Sequence, residues 1–201
     1  MFNYRVRHLR HEEIVSVLHK KGIVAMATDT VYGLHGIAPA THEKIAKIKN
    51  RNPEKPLLLI FSDIQMVMAV TGNQFLPAIA KLWPAPLTLV LPLKNSILDV
   101  QGVSTIAVRI PDNPGLCAII KELGYPLYST SANKSGMIPI ISPKEIFSTF
   151  ANHVELIIND GFIQDAIPST IVDATTSSLR VLRCGALEIP PEDLRKRSLC
   201  S

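Results

Sequence analysis

Gly22-Ile23-Val24-Ala25-Met26-Ala27-Thr28-Asp29-Thr30-Val31-Tyr32-Gly33 is the stretch on which the reading of the fold turns. Residues 23–27 form a short continuous apolar run, the pattern of a strand covered on both faces. The run stops at hydroxyls, a carboxylate and a glycine, which read as a loop at a strand end. Upstream, Ile14, Val17 and Leu18 fall at helical spacing, and Lys20-Lys21-Gly22 closes that helix with a C-terminal glycine. A helix, a buried strand and a polar loop in this order point to a sheet with helices packed on its faces.

The same alternation continues downstream. A helix is expected over residues 41–50, with Ile45 and Ile48 as its apolar stripe, and a second buried strand over 57–61. Helical stretches around 64–71 and 75–83 lead to a strand at 87–93, and residues 105–109 form another before Pro111. Asn113-Pro114 reads as a cap followed by proline at the first helical position. Ile119, Ile120 and Leu123 give that helix its buried face. Residues 126–130 form a strand, and Ser142-Pro143-Lys144-Glu145 is a capping box opening a helix through Phe150. Strands at 156–158, 170–172 and 180–183 precede a charged carboxy-terminal helix. No strict βαβ repeat and no linker stands out. The expectation is one domain over residues 1–201, an α/β or α+β sheet with mixed strand directions.

Composition agrees with one packed core. The chain has 201 residues, 47% of them hydrophobic, enough to bury roughly 70% of the unfolded surface without staples. A formal net charge of +4 suits phosphate-bearing partners, nucleotide or nucleic acid, and equally an ordinary basic enzyme. The three cysteines, Cys117, Cys184 and Cys200, are widely spaced and form no CxxC pair, as in a reducing compartment. The amino-terminal residues carry no apolar signal-peptide core. The longest apolar runs fall far short of the roughly 20 residues that cross a bilayer. A cytoplasmic location without membrane contact is expected.

Familiar catalytic signatures are missing: no P-loop, no GxGxxG after a strand, no GxSxG and no HExxH. Polar clusters at the ends of buried strands remain, where sheet proteins place their sites. Thr28-Asp29-Thr30-Val31-Tyr32-Gly33 is one, able to hold a small polar ligand and also readable as a plain turn. Lys49-Asn50-Arg51 with Lys55 sits where a helix gives way to a loop, either around phosphates or on a solvated basic face. Arg109 in an apolar strand must face solvent or find an anion, a ligand carboxylate or an internal Asp or Glu. Ser129-Thr130-Ser131-Ala132-Asn133-Lys134-Ser135-Gly136 is longer than a turn needs and suits phosphate or metal-bound water. Pro168-Ser169-Thr170 and Arg183 complete the set. None of the six histidines sits beside a nucleophile or in a metal pattern. His35 adjoins the first cluster, and all six read as surface residues.

In order along the chain, these clusters resemble the YrdC-type L-threonylcarbamoyladenylate synthase family. The matching stretches include residues 22–34, Lys49-Asn50-Arg51, Lys55-Pro56-Leu57, Trp83-Pro84-Ala85-Pro86-Leu87-Thr88, Ala107-Val108-Arg109-Ile110-Pro111, residues 129–136, Pro168-Ser169-Thr170 and Arg183-Cys184-Gly185. They run from about residue 10 to 190. Pro139 and Ile60 depart from many longer relatives, which have a serine and a histidine there, so no role is carried onto either. The chain ends soon after Arg183, and the extra carboxy-terminal domain of the longer form is expected to be absent.

The resemblance implies a twisted mixed parallel and antiparallel sheet flanked by helices, YrdC-like, with a basic concave face. It implies that Thr30, Arg109, Ser129 and Ser169 hold L-threonine, with Arg109 on the carboxylate. Arg51, Lys55, Thr105, Ser131, Asn133 and Arg183 would surround ATP, and Lys49 and Arg51 would be catalytic. Mg²⁺ would accompany ATP without direct protein ligands, Lys49 and Asn133 lying near the phosphates. The implied reaction joins L-threonine, bicarbonate or CO₂ and ATP into threonylcarbamoyl-AMP and pyrophosphate. A downstream transferase complex would use the product on adenosine 37 of tRNA, with RNA or tRNA contact open. The alternative is an RNA-binding protein of the same fold without synthase activity, on the YciO-like branch.

Overall fold

The computed structural model describes residues 5–6, 11–52, 57–73, 76–93, 103–134 and 136–190. Within them the elements run β1 (Arg5–Val6), α1 (His11–His19), β2 (Val24–Ala27), β3 (Tyr32–Ile37), α2 (His42–Ile48), β4 (Leu58–Ile60) and α3 (Ile64–Thr71). A short 3₁₀ helix (Ala78–Leu82) leads to β5 (Leu87–Pro92), β6 (Thr105–Arg109), α4 (Pro114–Leu123), β7 (Leu127–Ser131), α5 (Pro143–Phe150), β8 (Leu156–Asn159), β9 (Thr170–Asp173) and β10 (Arg180–Arg183). The described strands form a single ten-stranded sheet in the order β1-β8-β2-β3-β7-β4-β6-β5-β9-β10. Directions are mixed: β2 runs parallel to β8 and antiparallel to β3, while β6 is parallel to β4 and antiparallel to β5.

Most strands lie within a residue or two of their expected bounds. β3 does not: the sequence reading ended the first polar loop at Gly33 and placed no strand before the next helix. Tyr32–Ile37 instead pairs with β2 on one side and β7 on the other. The stretch expected as a helix over 75–83 is the short 3₁₀ segment, bounded by Pro77 and by Pro84 after Trp83. Ser142 is the N-cap of α5 but makes no side-chain capping bond, so the expected capping box is absent. α4 starts as its sequence reads, with Asn113 accepting a hydrogen bond from the Leu116 amide at 3.0 Å and Pro114 in the first turn. The charged carboxy-terminal helix falls outside the described residues.

Two apolar clusters cover the sheet. On one face, α2, α3 and α5 contribute Ile45, Val67, Val70, Ile146 and Phe150 to a cluster with Tyr32, Leu34, Leu59, Leu89 and Val108. On the other, α1 and α4 bring Ile14, Leu18, Leu116 and Ile120 onto Val24, Met26, Ile60, Leu127 and Leu156. Side chains alternate along a strand, and paired residues on neighbouring strands share a face. Gly33, Leu58, Ser129, Ser131, Ala107 and Arg109 therefore stand on the same face as α1 and α4. The second cluster contains none of them. Among the described residues no helix of the second cluster covers this part of the sheet, and the site lies there.

Candidate active site on the uncovered sheet face

A cavity of about 350 Å³ occupies this part of the face, a size at the lower end of the roughly 300–1,000 Å³ typical of small-molecule sites. Its floor is made of Gly33, Leu58, Thr88, Ala107, Ser129, Ser131 and Ile171, drawn from six different strands. Thr28, Thr30, Arg51, Arg109, Ser169 and Arg183 are among the other residues that line it. Of the residues expected around threonine, Thr30, Arg109, Ser129 and Ser169 all line this one space. Of those expected around ATP, Arg51, Ser131 and Arg183 do as well.

Arg109 is buried; two of its guanidinium nitrogens are hydrogen-bonded, and the third meets a carboxylate as an ion pair without hydrogen-bond geometry. Nη1 donates to Thr30 Oγ1 at 3.0 Å, Nε donates to the Ala85 carbonyl at 3.3 Å, and Nη2 faces Asp29 Oδ1 at 2.5 Å. Asp29 is itself held by the Asp112 amide at 3.1 Å. The loop offering Asp29 and Thr30 is tied by Thr28, whose hydroxyl donates to the Val31 carbonyl at 3.0 Å and whose amide does the same. Of the two internal or external anions the sequence left open for Arg109, an internal one is present. A guanidinium carries five N–H groups, more than these partners take, and Arg109 lines the cavity.

Arg183 closes the opposite wall. Its Nε and Nη2 donate to the Ser169 carbonyl at 3.1 and 2.8 Å, and Nη2 also reaches Ser169 Oγ at 3.2 Å. Ser169 Oγ lies 2.8 Å from Thr88 Oγ1. Burial, and secondarily the charge of Arg109, hold the Arg183 guanidinium below its ordinary pKa. Two guanidinium groups that feel each other across a cavity favour an anion between them.

Lys49 and Asn133 stand one layer behind the wall. The Lys49 ammonium donates to the Ser131 carbonyl and to Asn133 Oδ1, the latter at 2.7 Å. Asn133 Oδ1 also accepts from Ser131 Oγ at 2.7 Å, and its amide nitrogen donates to the Met137 carbonyl. Burial pushes the Lys49 pKa down to about 8, with Arg51 adding to the push. Thr105 begins β6 and does not line the cavity. Lys55 lies outside the described residues.

Three neighbours escaped the sequence reading. Asp29 stood in a quoted cluster without a role, although a buried strand arginine requires a counter-charge nearby. Thr88 faces the cavity because it alternates with the apolar Leu87 and Leu89. His35, expected at the surface, is fully buried, because the strand carrying it lies inside the sheet. A second cavity of about 420 Å³ opens between the starts of α3 and α4, beside Trp83, Pro84 and Cys117, and holds none of the expected residues. Among the described residues no group of three or more His, Cys, Asp or Glu side chains is placed to hold a metal ion, and no helix is long and apolar enough to cross a membrane.

A family model described as Sua5/YciO/YrdC, telomere recombination, matches residues 16–185. The chain belongs to the Sua5/YciO/YrdC family. Threonylcarbamoyl-AMP synthase of Bacillus subtilis is 30% identical over 183 residues, covering 87% of this chain and 53% of that protein. P. abyssi Sua5 complexed with L-threonine superposes with a TM-score of 0.79 at 27% identity, over 90% of this chain and 56% of that one. E. coli YciO superposes with a TM-score of 0.78 at 24% identity, over 92% of each chain. The expected YrdC-like mixed sheet is thus the one present. This Sua5/YciO/YrdC chain spans about half the length of the curated relative it matches.

Proposed function

We propose that this chain is an L-threonylcarbamoyladenylate synthase, forming threonylcarbamoyl-AMP and pyrophosphate from L-threonine, bicarbonate or CO₂ and ATP. The observation carrying this reading is the convergence of Thr30, Arg51, Arg109, Ser129, Ser131, Ser169 and Arg183 on one cavity from distant parts of the chain. The similarity to the Bacillus synthase and to a threonine-bound Sua5 supports the same reading.

In this mechanism the Arg109 guanidinium takes the threonine carboxylate, with Thr30 and Ser169 beside it and Ser129 near the amine. The amine adds to CO₂ to give a carbamate, losing a proton. A carbamate oxygen then attacks the α-phosphorus of ATP, and the α–β bridging oxygen leaves with pyrophosphate. Arg51 and Arg183 neutralise charge that builds on the phosphates. Such transfers need positioning and charge compensation more than a protein nucleophile. A carbamate decomposes readily in water, so a recessed site has a purpose. Lys49 acts through the Ser131–Asn133 wall it anchors. Asn133 Oδ1 is already taken by Lys49 and Ser131, and the hydroxyls of Ser129 and Ser131 that line the cavity are neutral oxygens, a hard environment that suits an ion held by phosphates and water rather than by the protein. Bound there, Mg²⁺ would supply charge neutralisation on the triphosphate.

The reading extends to residues 1–201 as one cytoplasmic catalytic domain with a basic concave face, handing its product to a transferase that modifies adenosine 37 of tRNA. Incubation with ATP, Mg²⁺, threonine and labelled bicarbonate should yield labelled threonylcarbamoyl-AMP. No product and no pyrophosphate, together with steeply salt-dependent RNA binding, would overturn it in favour of an RNA-binding protein.

A further inference from the structure

Among the described residues His35 is the only buried histidine, with no exposed surface. It stands on the cavity face of β3, two residues from Gly33, and its ring packs against Gly33 so closely that a Cβ there would lie 2.6 Å from Nε2. Nε2 is 3.3 Å from the Met26 carbonyl. A carbonyl only accepts, so Nε2 carries the hydrogen, and in a neutral ring Nδ1 is a bare acceptor. Burial keeps the ring neutral, pushing its pKa down to about 4 against the pull of the Met26 carbonyl, with Arg109 adding to the push. Nδ1 is buried without a hydrogen-bond partner, a destabilising state for an acceptor.

The flanking residue on β2, Val24, and the next on that face of β3, Ile37, have no hydrogen to give. On the other side β7 sets Ser129 directly opposite His35, which brings their Cβ atoms to about 4.5–5.5 Å. Ser129 is buried, lines the cavity and makes no side-chain hydrogen bond among the described residues. At that separation the Ser129 hydroxyl is the side-chain donor that the register sets nearest the imidazole.

We propose that His35 is a positioning residue for Ser129: Nδ1 accepts the Ser129 hydroxyl hydrogen and turns the Oγ lone pairs toward the cavity, as acceptor for the amino group of the bound amino acid. A freely rotating hydroxyl can present its hydrogen to that cationic group, and the imidazole removes this orientation. Arg109 then offers only donors to the carboxylate, and Ser129 only an acceptor to the ammonium. The proposal rests on the threonine reading of the cavity and extends it to how the two ends of the zwitterion are told apart.

Two measurements test it. In the ligand-free protein, ¹⁵N-histidine spectra should show the Nε2–H tautomer for His35, and Ser129→Ala should shift the Nδ1 resonance toward that of an unbonded nitrogen. An Nδ1 resonance indifferent to Ser129→Ala overturns the proposal whether or not threonine is a substrate. In the second, His35→Leu should weaken threonine binding about tenfold, the scale of one charge-assisted hydrogen bond. ATP binding should be unchanged, and His35→Asn, which restores an acceptor, should recover most of the loss. His35→Leu combined with Ser129→Ala should be no worse than Ser129→Ala alone. Losses that add, or that affect ATP equally, indicate a packing role and overturn the proposal. A wild-type protein that spectroscopically shows the Ser129–His35 bond but does not bind threonine overturns the substrate reading, and with it the assignment of an amino group as the acceptor's partner.

Discussion

Arg109 and Asp29 face each other at 2.5 Å, both almost fully buried. Removing one partner of such a pair strands the other charge in a poorly solvated place. Asp29→Ala should therefore lower stability by about 3–5 kcal/mol in urea unfolding. Asp29→Ala with Arg109→Met should recover a good part of it, while abolishing threonine binding. Lys49 lends itself to a proton count. Its pKa falls from 10.5 to about 8 in the folded chain, so between those values the native state holds fewer protons than the unfolded one. Stability should rise with pH through that window as the buried charge is lost. A nearby triphosphate favours the charged form, and ATP binding near pH 9 should take up a proton. Binding heats in buffers of different ionisation enthalpy would reveal it, and Lys49→Met should remove it. Absence of uptake in the wild type would separate Lys49 from the phosphates. The residue types of the site were readable from sequence, since strand-end hydroxyls and isolated arginines stand out in apolar surroundings. Their partners were not, because Asp29 meets Arg109 only through tertiary folding.

Elements differ in how plainly the sequence announces them. β6 and α3 have bounds set by unbroken apolar runs or by caps: Asp63 accepts from the Met66 amide at 2.8 Å and opens α3. β3 is the counter-example. Tyr32-Gly33-Leu34-His35-Gly36-Ile37 has two glycines and a histidine in six residues, poor intrinsic strand formers. It is a strand because partners on both sides satisfy its backbone, and missing it hid His35. Two substitutions separate scaffold from site. Asn113→Ala removes the α4 cap on the helix-covered half of the face, and should cost about 1 kcal/mol with threonine and ATP saturation unchanged. Gly185 follows β10 where a Cβ would meet the Pro168 carbonyl oxygen at 2.2 Å and Ser169 backbone atoms at 2.4 and 2.5 Å. Gly185→Ala should push the Arg183 and Ser169 wall apart and weaken both substrates in a protein that stays folded, as circular dichroism and saturation curves would show.

Across the whole molecule, the cavity joins β3 and β7 in the middle of the strand order to β9 and β10 at one end of it. Threonine and ATP together should therefore slow amide exchange in residues 28–33, 129–133 and 168–171 at once. Protection confined to one of these would mean that the cavity is not a single binding unit. Among the described residues helices α1 and α4 cover only part of their face of the sheet, and this asymmetry bears on the proposed reaction. A sheet face is normally finished by a permanent layer of its own chain. On the synthase reading, the layer missing among the described residues would be brought in by reactants and carried off with product, so each cycle would rebuild and dismantle a piece of the molecule's interior. A bound molecule resembling amino acid and nucleotide joined as one would complete that interior without leaving, and would act on the protein as extra core.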